Sequence, residues 1–229
     1  MSQPHPLDNT VHASLSGPHS HFAERCGRAL RYPAEMSPFV ALPARPDGSD
    51  WAALADLAGP GSIISLKDIS AEPPPGWEVR TRIPGVQLVG TGVAAEPDLD
   101  AVRLVASDVP EMLDLVKRTK PGPFALRTIE MGCYLGIRRR GELVAMAGER
   151  LHPPGWTEIS AVCTDTAYRG QGLATRLIRA VVAGIRDRGE KPFLHVAAAN
   201  DGAIRLYEAL GFQLRRHTEF LVARTPTGT

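Results

Sequence analysis

Alternating apolar and polar positions mark three strands in succession, at residues 133–139, 143–151 and Trp156–Thr164. The first two flank Arg140-Gly141-Glu142, which reads as a hairpin turn. A helical stripe follows over residues 173–185, with Gly189 as its stop. Residues 193–197 return to a strand and residues 201–210 to a helix. Residues 212–215 and 218–223 read as a closing strand pair. Upstream, residues 101–106 form a strand. Asp108 caps a helix over 109–118, with Pro110 in its first turn, and Pro121-Gly122-Pro123 breaks it. This order predicts an α/β fold with a mixed, mostly antiparallel twisted sheet and helices on both faces.

The first hundred residues are less regular and hold thirteen of the twenty prolines. A helix is expected from Ser14 to about Leu30. A second runs from Ser49 to Ala58, capped by Ser49 or Asp50 and ended by Gly59-Pro60. Short β-rich runs lie at 63–66 and 86–89, with Pro73-Pro74-Pro75-Gly76 as a turn between them. His5, His12, His19 and His21 have no metal-ligand spacing and suggest a loose, solvated arm. The composition divides the chain into an irregular half, 1–98, and a cleaner half, 99–229.

Between the third strand and the long helix lies Thr164-Asp165-Thr166-Ala167-Tyr168-Arg169-Gly170-Gln171-Gly172-Leu173-Ala174. Glycine admits positive φ and a close ligand approach. The helix start adds free N–H groups and the positive end of its dipole. Together they make a seat for a pyrophosphate. The turn is not a Walker A loop, and no Gly-x-Gly-x-x-Gly occurs in it. Gly90-Thr91-Gly92-Val93-Ala94-Ala95 mimics a dinucleotide motif, but Glu96-Pro97 removes the helix it needs.

Arg169, Gly172 and Ala174 resemble the Arg/Gln-x-x-Gly-x-Gly/Ala acyl-CoA signature of the GNAT N-acetyltransferase superfamily. Asn200, Ala203, Leu206-Tyr207, Leu210 and Gly211-Phe212 resemble its second hallmark. The latter also makes local sense: Asn200 is an N-cap and Gly211 a C′ residue. Glu158 stands eleven residues before Arg169, the spacing of a general base in the histone-acetylating branch. The resemblance covers roughly residues 101–222. The first half is similar in layout to the degenerate GNAT-like half of the glycine N-acyltransferase-like branch.

The resemblance implies binding of acetyl-CoA, as co-substrate, by Val162, Cys163, Thr164, Arg169, Gly170, Gln171, Gly172, Leu173, Ala174, Thr175, Asn200 and Tyr207. It implies catalysis by Glu158 and Tyr207, the phenol protonating the thiolate that leaves. Glu158 has a second reading, as a solvent-facing or Arg-paired strand residue. Alternation sets Glu158, Ser160, Val162 and Thr164 on one face. Cys163 as a nucleophile is rejected, since no His is set beside it by spacing and buried free Cys is common. Thr128, Glu130 and Met131, and a turn at 214–218, are expected near the acceptor.

Net charge of +1 favours neither nucleic acid nor a membrane surface, and Arg138-Arg139-Arg140 reads as a charged hairpin end. There is no apolar run of transmembrane length. Met1 to Leu7 lacks a signal-peptide layout, and three scattered cysteines make no disulfide framework. A cytoplasmic setting is therefore the expectation. The expected activity is acetyl transfer from acetyl-CoA to a primary amine of a small molecule or peptide, with no metal. The alternative is a non-catalytic acyl-CoA-binding regulatory module.

Overall fold

A computed structural model describes residues 5–68 and 71–227. The chain opens with helix α1 (Thr10–Leu15), strands β1 (Glu24–Cys26), β2 (Ala29–Arg31) and β3 (Val40–Ala41), and helix α2 (Gly48–Ala58). Strands β4 (Ile63–Lys67), β5 (Glu78–Val89) and β6 (Ala101–Arg103) come next, then helix α3 (Val109–Thr119). Strands β7 (Tyr134–Arg139), β8 (Glu142–Glu149) and β9 (Trp156–Thr164) lead into helix α4 (Leu173–Asp187). Strand β10 (Lys191–Ala197), helix α5 (Asp201–Ala209) and strand β11 (Gln213–Arg224) close the chain.

One eight-stranded sheet runs in the order β4-β11-β5-β10-β9-β8-β7-β6. Only β9 and β10 pair in parallel. Arg140 and Gly141 both take positive φ, as a two-residue hairpin between β7 and β8 requires. One face of the sheet packs on α4 and α5 through Ile159, Leu177, Ile178, Val181 and Tyr207. The other packs on α3 through Met112, Leu115, Tyr134 and Met146.

The first hundred residues depart from several expectations. Residues 14–30 are not one helix. Gly17-Pro18 interrupts the pattern, and a hairpin forms around Gly27, whose φ is +52°. The cap of α2 is Asp47, which accepts from Ser49 N and Asp50 N, while Asp50 answers by accepting from Asp47 N. The histidine-bearing segment is not a solvated arm: Leu7, Val11 and Leu15 are fully buried against Leu30, Tyr32 and Phe193. His19 is buried too, its ring bonded to the Tyr32 hydroxyl at 2.9 Å.

β5 lies between β10 and β11, and β4 lies outside β11. The sheet is thus continuous across the compositional break at 98/99. The closing strand pair is one strand, β11. Arg215 is an extra residue in it, because Leu214 pairs with Leu88 and Arg216 with Gln87. Among the described residues no helix is long and apolar enough to cross a membrane.

Candidate active site

β9 and β10 hold together only at their entry ends, where residues 156–158 face 191–193. Beyond Phe193 they separate. β10 stays bonded to β5 on its far side, and β9 to β8. The inner backbone edges of both strands therefore open into a wedge.

A bulge sharpens the opening. Met146 pairs with Cys163 and Gly148 with Ser160, so Ala161 and Val162 together face Ala147. Ala161 takes a left-handed φ of +52°. The extra residue reverses the facing of the positions after it. Ile159 and Val162 both join the core on α4, whereas Ala161 and Cys163 join the core on α3. The expected common face of Glu158, Ser160, Val162 and Thr164 does not exist for this reason.

The turn after β9 is fixed by Asp165, which accepts from Ala167 N and pairs with Arg118. Gly170 and Gly172 have φ of +77° and +71°. A Cβ on either would meet nothing within 4 Å, so the space above them is open. Gly172 is the N-cap of α4 with no side-chain cap, which leaves the first-turn N–H groups free for a ligand.

A cleft of about 920 Å³ joins this turn to the wedge. Val162, Cys163, Thr164, Arg169, Gly170, Gly172, Leu173, Ala174, Thr175, Asn200 and Tyr207 all line it. Gln171 does not; its side chain is exposed elsewhere. The Thr164 hydroxyl is buried with no partner among the described residues, an unmet polar group on the cleft wall. Asn200 caps α5 by accepting from Ala203 N at 3.1 Å. Burial raises the Tyr207 phenol to about 12, so it keeps its proton at neutral pH. Burial likewise raises the Cys163 thiol to about 11, which leaves it a poor nucleophile.

Glu158 does not line the cleft. It is fully buried, and its oxygens accept from Arg150 Nε and Nη2 and from Lys67 Nζ, at 2.8–3.0 Å. His195 Nδ1 lies 2.6 Å from Oε1. Burial alone would raise its carboxyl, but Arg150, Lys67 and His195 outweigh burial and hold it well below the usual range. A carboxylate so satisfied takes up a proton poorly, which speaks against the expected role of base. The Arg-paired reading describes its setting.

The residues expected near the acceptor do not line the cleft. Thr128 and Met131 are buried, Thr128 Oγ1 donating to Met36 O. Glu130 pairs with Arg127 at the surface. Residues 214–218 form part of β11 rather than a turn. The end of the cleft away from the glycine turn is walled by Phe39, Ser65, Ile83, Phe220 and Val222, with Arg150 and His195 also lining it. Their signal in the sequence was faint: a histidine inside the apolar strand 193–197.

The chain aligns with the crystal structure of a putative acetyltransferase from the GNAT family of Novosphingobium aromaticivorans. The two are 42% identical with a TM-score of 0.88, over 96% of this chain and 98% of that one. The chain belongs to the GNAT acetyltransferase family. A family profile described as FR47-like protein matches residues 134–221, the part of this GNAT chain that carries the wedge and both helices beside it. Over 83 residues the chain is 40% identical to the N-alpha-acetyltransferase RimI of Mycobacterium tuberculosis, covering 35% of this chain and 51% of that protein. Over 72 residues it is 39% identical to the mycothiol acetyltransferase of Corynebacterium glutamicum, covering 31% of this chain and 25% of that one. The GNAT chain thus spans about half or less of the curated relatives it matches.

Proposed function

We propose that the chain transfers an acetyl group from acetyl-CoA to a primary amine by direct attack. The observation that carries this reading is the single cleft, which runs from the glycine turn of α4 along the open edges of β9 and β10 to an apolar wall. The residues present fit the co-substrate: two glycines beneath open space, free N–H groups at the start of α4, and an unpartnered Thr164 hydroxyl. Acetyl-CoA supplies the thioester that the amine attacks.

In this reading Arg169 and the backbone of residues 170–175 hold the pyrophosphate. The open edge of β9 pairs with the pantetheine arm as a further strand does. The bulge at Ala161-Val162 turns backbone N–H toward the carbonyl oxygen, whose charge grows during attack. Tyr207 gives its proton to the thiolate, and the phenolate so formed regains one, through water, from the nitrogen of the amine that has attacked. Glu158 is a positioning residue that fixes Arg150, Lys67 and His195 under the acceptor half, and the amine enters in its neutral form. Holding both reactants in one cleft supplies much of the rate. The chain's halves, 1–98 and 99–229, work as one unit here, because the acceptor wall comes from both.

The test is titration calorimetry with acetyl-CoA beside CoA, ATP and NAD, followed by thiol release with amine acceptors. Binding of acetyl-CoA and CoA alone, with amine-dependent release, is expected. No heat with any CoA species from folded protein rejects the reading. Binding without turnover of any amine would leave the regulatory module.

A further inference from the structure

Among the described residues no side-chain carboxylate lines the cleft. The charged side chains that do line it are Lys120, Arg150 and Arg169. Neither Glu158 nor Asp68 lines it, and each is already paired, Glu158 with Lys67 and Asp68 with Thr218 and the ring of His195. A second ammonium group on an acceptor would enter a cleft with nothing to neutralise it, at a cost that low dielectric enlarges.

Arg150 offers the opposite. Its Nε and Nη2 hold Glu158 in a two-point pair. Nη1 has no hydrogen-bond partner among the described residues and is not sealed off, since Arg150 lines the cleft. The guanidinium stays charged, and its carbon sits 4.9 Å from the centre of the Phe39 ring, which limits its freedom. Around it stand Ile83, Phe220 and Val222, apolar side chains facing the cleft from β5 and β11.

Resting on acetyl transfer to an amine as the activity, we propose that the acceptor is a monoamine with an apolar or aromatic body and a carboxylate near the amine, as in a hydrophobic α-amino acid. Arg150 Nη1 binds the carboxylate, and Phe39, Ile83, Phe220 and Val222 bind the body. Polyamines and lysine-rich peptides are excluded by the missing carboxylates. Peptide N-termini are disfavoured because they present an amide where Arg150 offers a cation.

The experiment compares kcat/KM for L-phenylalanine, L-phenylalaninamide, phenethylamine, putrescine and spermidine, with acetyl-CoA saturating. A charge-assisted hydrogen bond lost in binding predicts at least about a tenfold drop from L-phenylalanine to either analogue lacking the carboxylate. The diamine and triamine should fall lower still. Val222→Asp, checked for an unchanged melting curve, should narrow the gap between L-phenylalanine and putrescine; Arg150→Lys should shrink the penalty for losing the carboxylate. Equal rates for L-phenylalanine and its amide, a preference for spermidine, or acetyl-CoA binding with no amino acid turned over would each overturn the inference. The first two leave acetyl transfer standing, whereas failure to bind acetyl-CoA removes both.

Discussion

Glu158 shows how the same residue reads differently in sequence and in space. Its spacing from Arg169 is that of a base, yet three cationic or hydrogen-bonding partners from β4, β10 and the end of β8 converge on it. Removing its charge leaves Lys67 and Arg150 buried without their counter-ion. Glu158→Gln should therefore destabilise the fold by about 3–5 kcal/mol, read from urea unfolding. Tyr207→Phe should behave otherwise: kcat falls about a hundredfold or more while acetyl-CoA affinity measured by calorimetry is unchanged. An unaltered kcat would remove the phenol from proton transfer. His19 is one contributor to acid stability. Burial first, then the neighbouring His152 and His21, lowers it to about 3. The folded chain thus refuses a proton that the unfolded chain takes below about 6.5. Its contribution is full above that pH and is lost as pH falls, by about 1.4 kcal/mol per pH unit. The urea midpoint should drop between pH 7 and pH 5, and His19→Gln should flatten the slope.

At the level of elements, most of the second half was legible. The stripe of α4, the Asn200 cap of α5 and the hairpin at Arg140-Gly141 obey local rules that need no distant partner. The bulge was not legible, because Ala161 carries no residue preference for positive φ. Only pairing with both sides of Ala147 forces it there. Gly172 is a case where residue and conformation agree. Gly172→Ala places a Cβ at φ +71°, which costs about 1 kcal/mol. It also fills the open space over the turn. A small loss in thermal midpoint with a clear loss of acetyl-CoA affinity is expected; full affinity would move the pyrophosphate seat elsewhere.

Across the whole molecule, the first hundred residues complete the sheet rather than stand beside it. β5 shields β10 on one side and β11 on the other, and Lys67 on β4 reaches Glu158 on β9. Expressed alone, residues 99–229 would leave those strand edges bare and Glu158 short of a counter-charge. Such a fragment should lack a cooperative melting transition. A sharp transition near that of the full chain would show that the halves fold separately.

Local composition and periodicity were enough for the helices and most strands of the second half and for the glycine turn, and the family was reached through the resemblance of residues 169–174 and 200–212 to its signatures, because each rests on residues close together in the chain. The apolar wall of the cleft, where we propose that the acceptor sits, was not readable that way. Phe39, Ser65, Ile83, Arg150 and Phe220 come from five separate stretches and meet only when β5 enters between β10 and β11. Long-range pairing also decides which carboxylate faces water and which is enclosed by charge. That choice depends on desolvation and partners in three dimensions, which neighbouring residues do not encode.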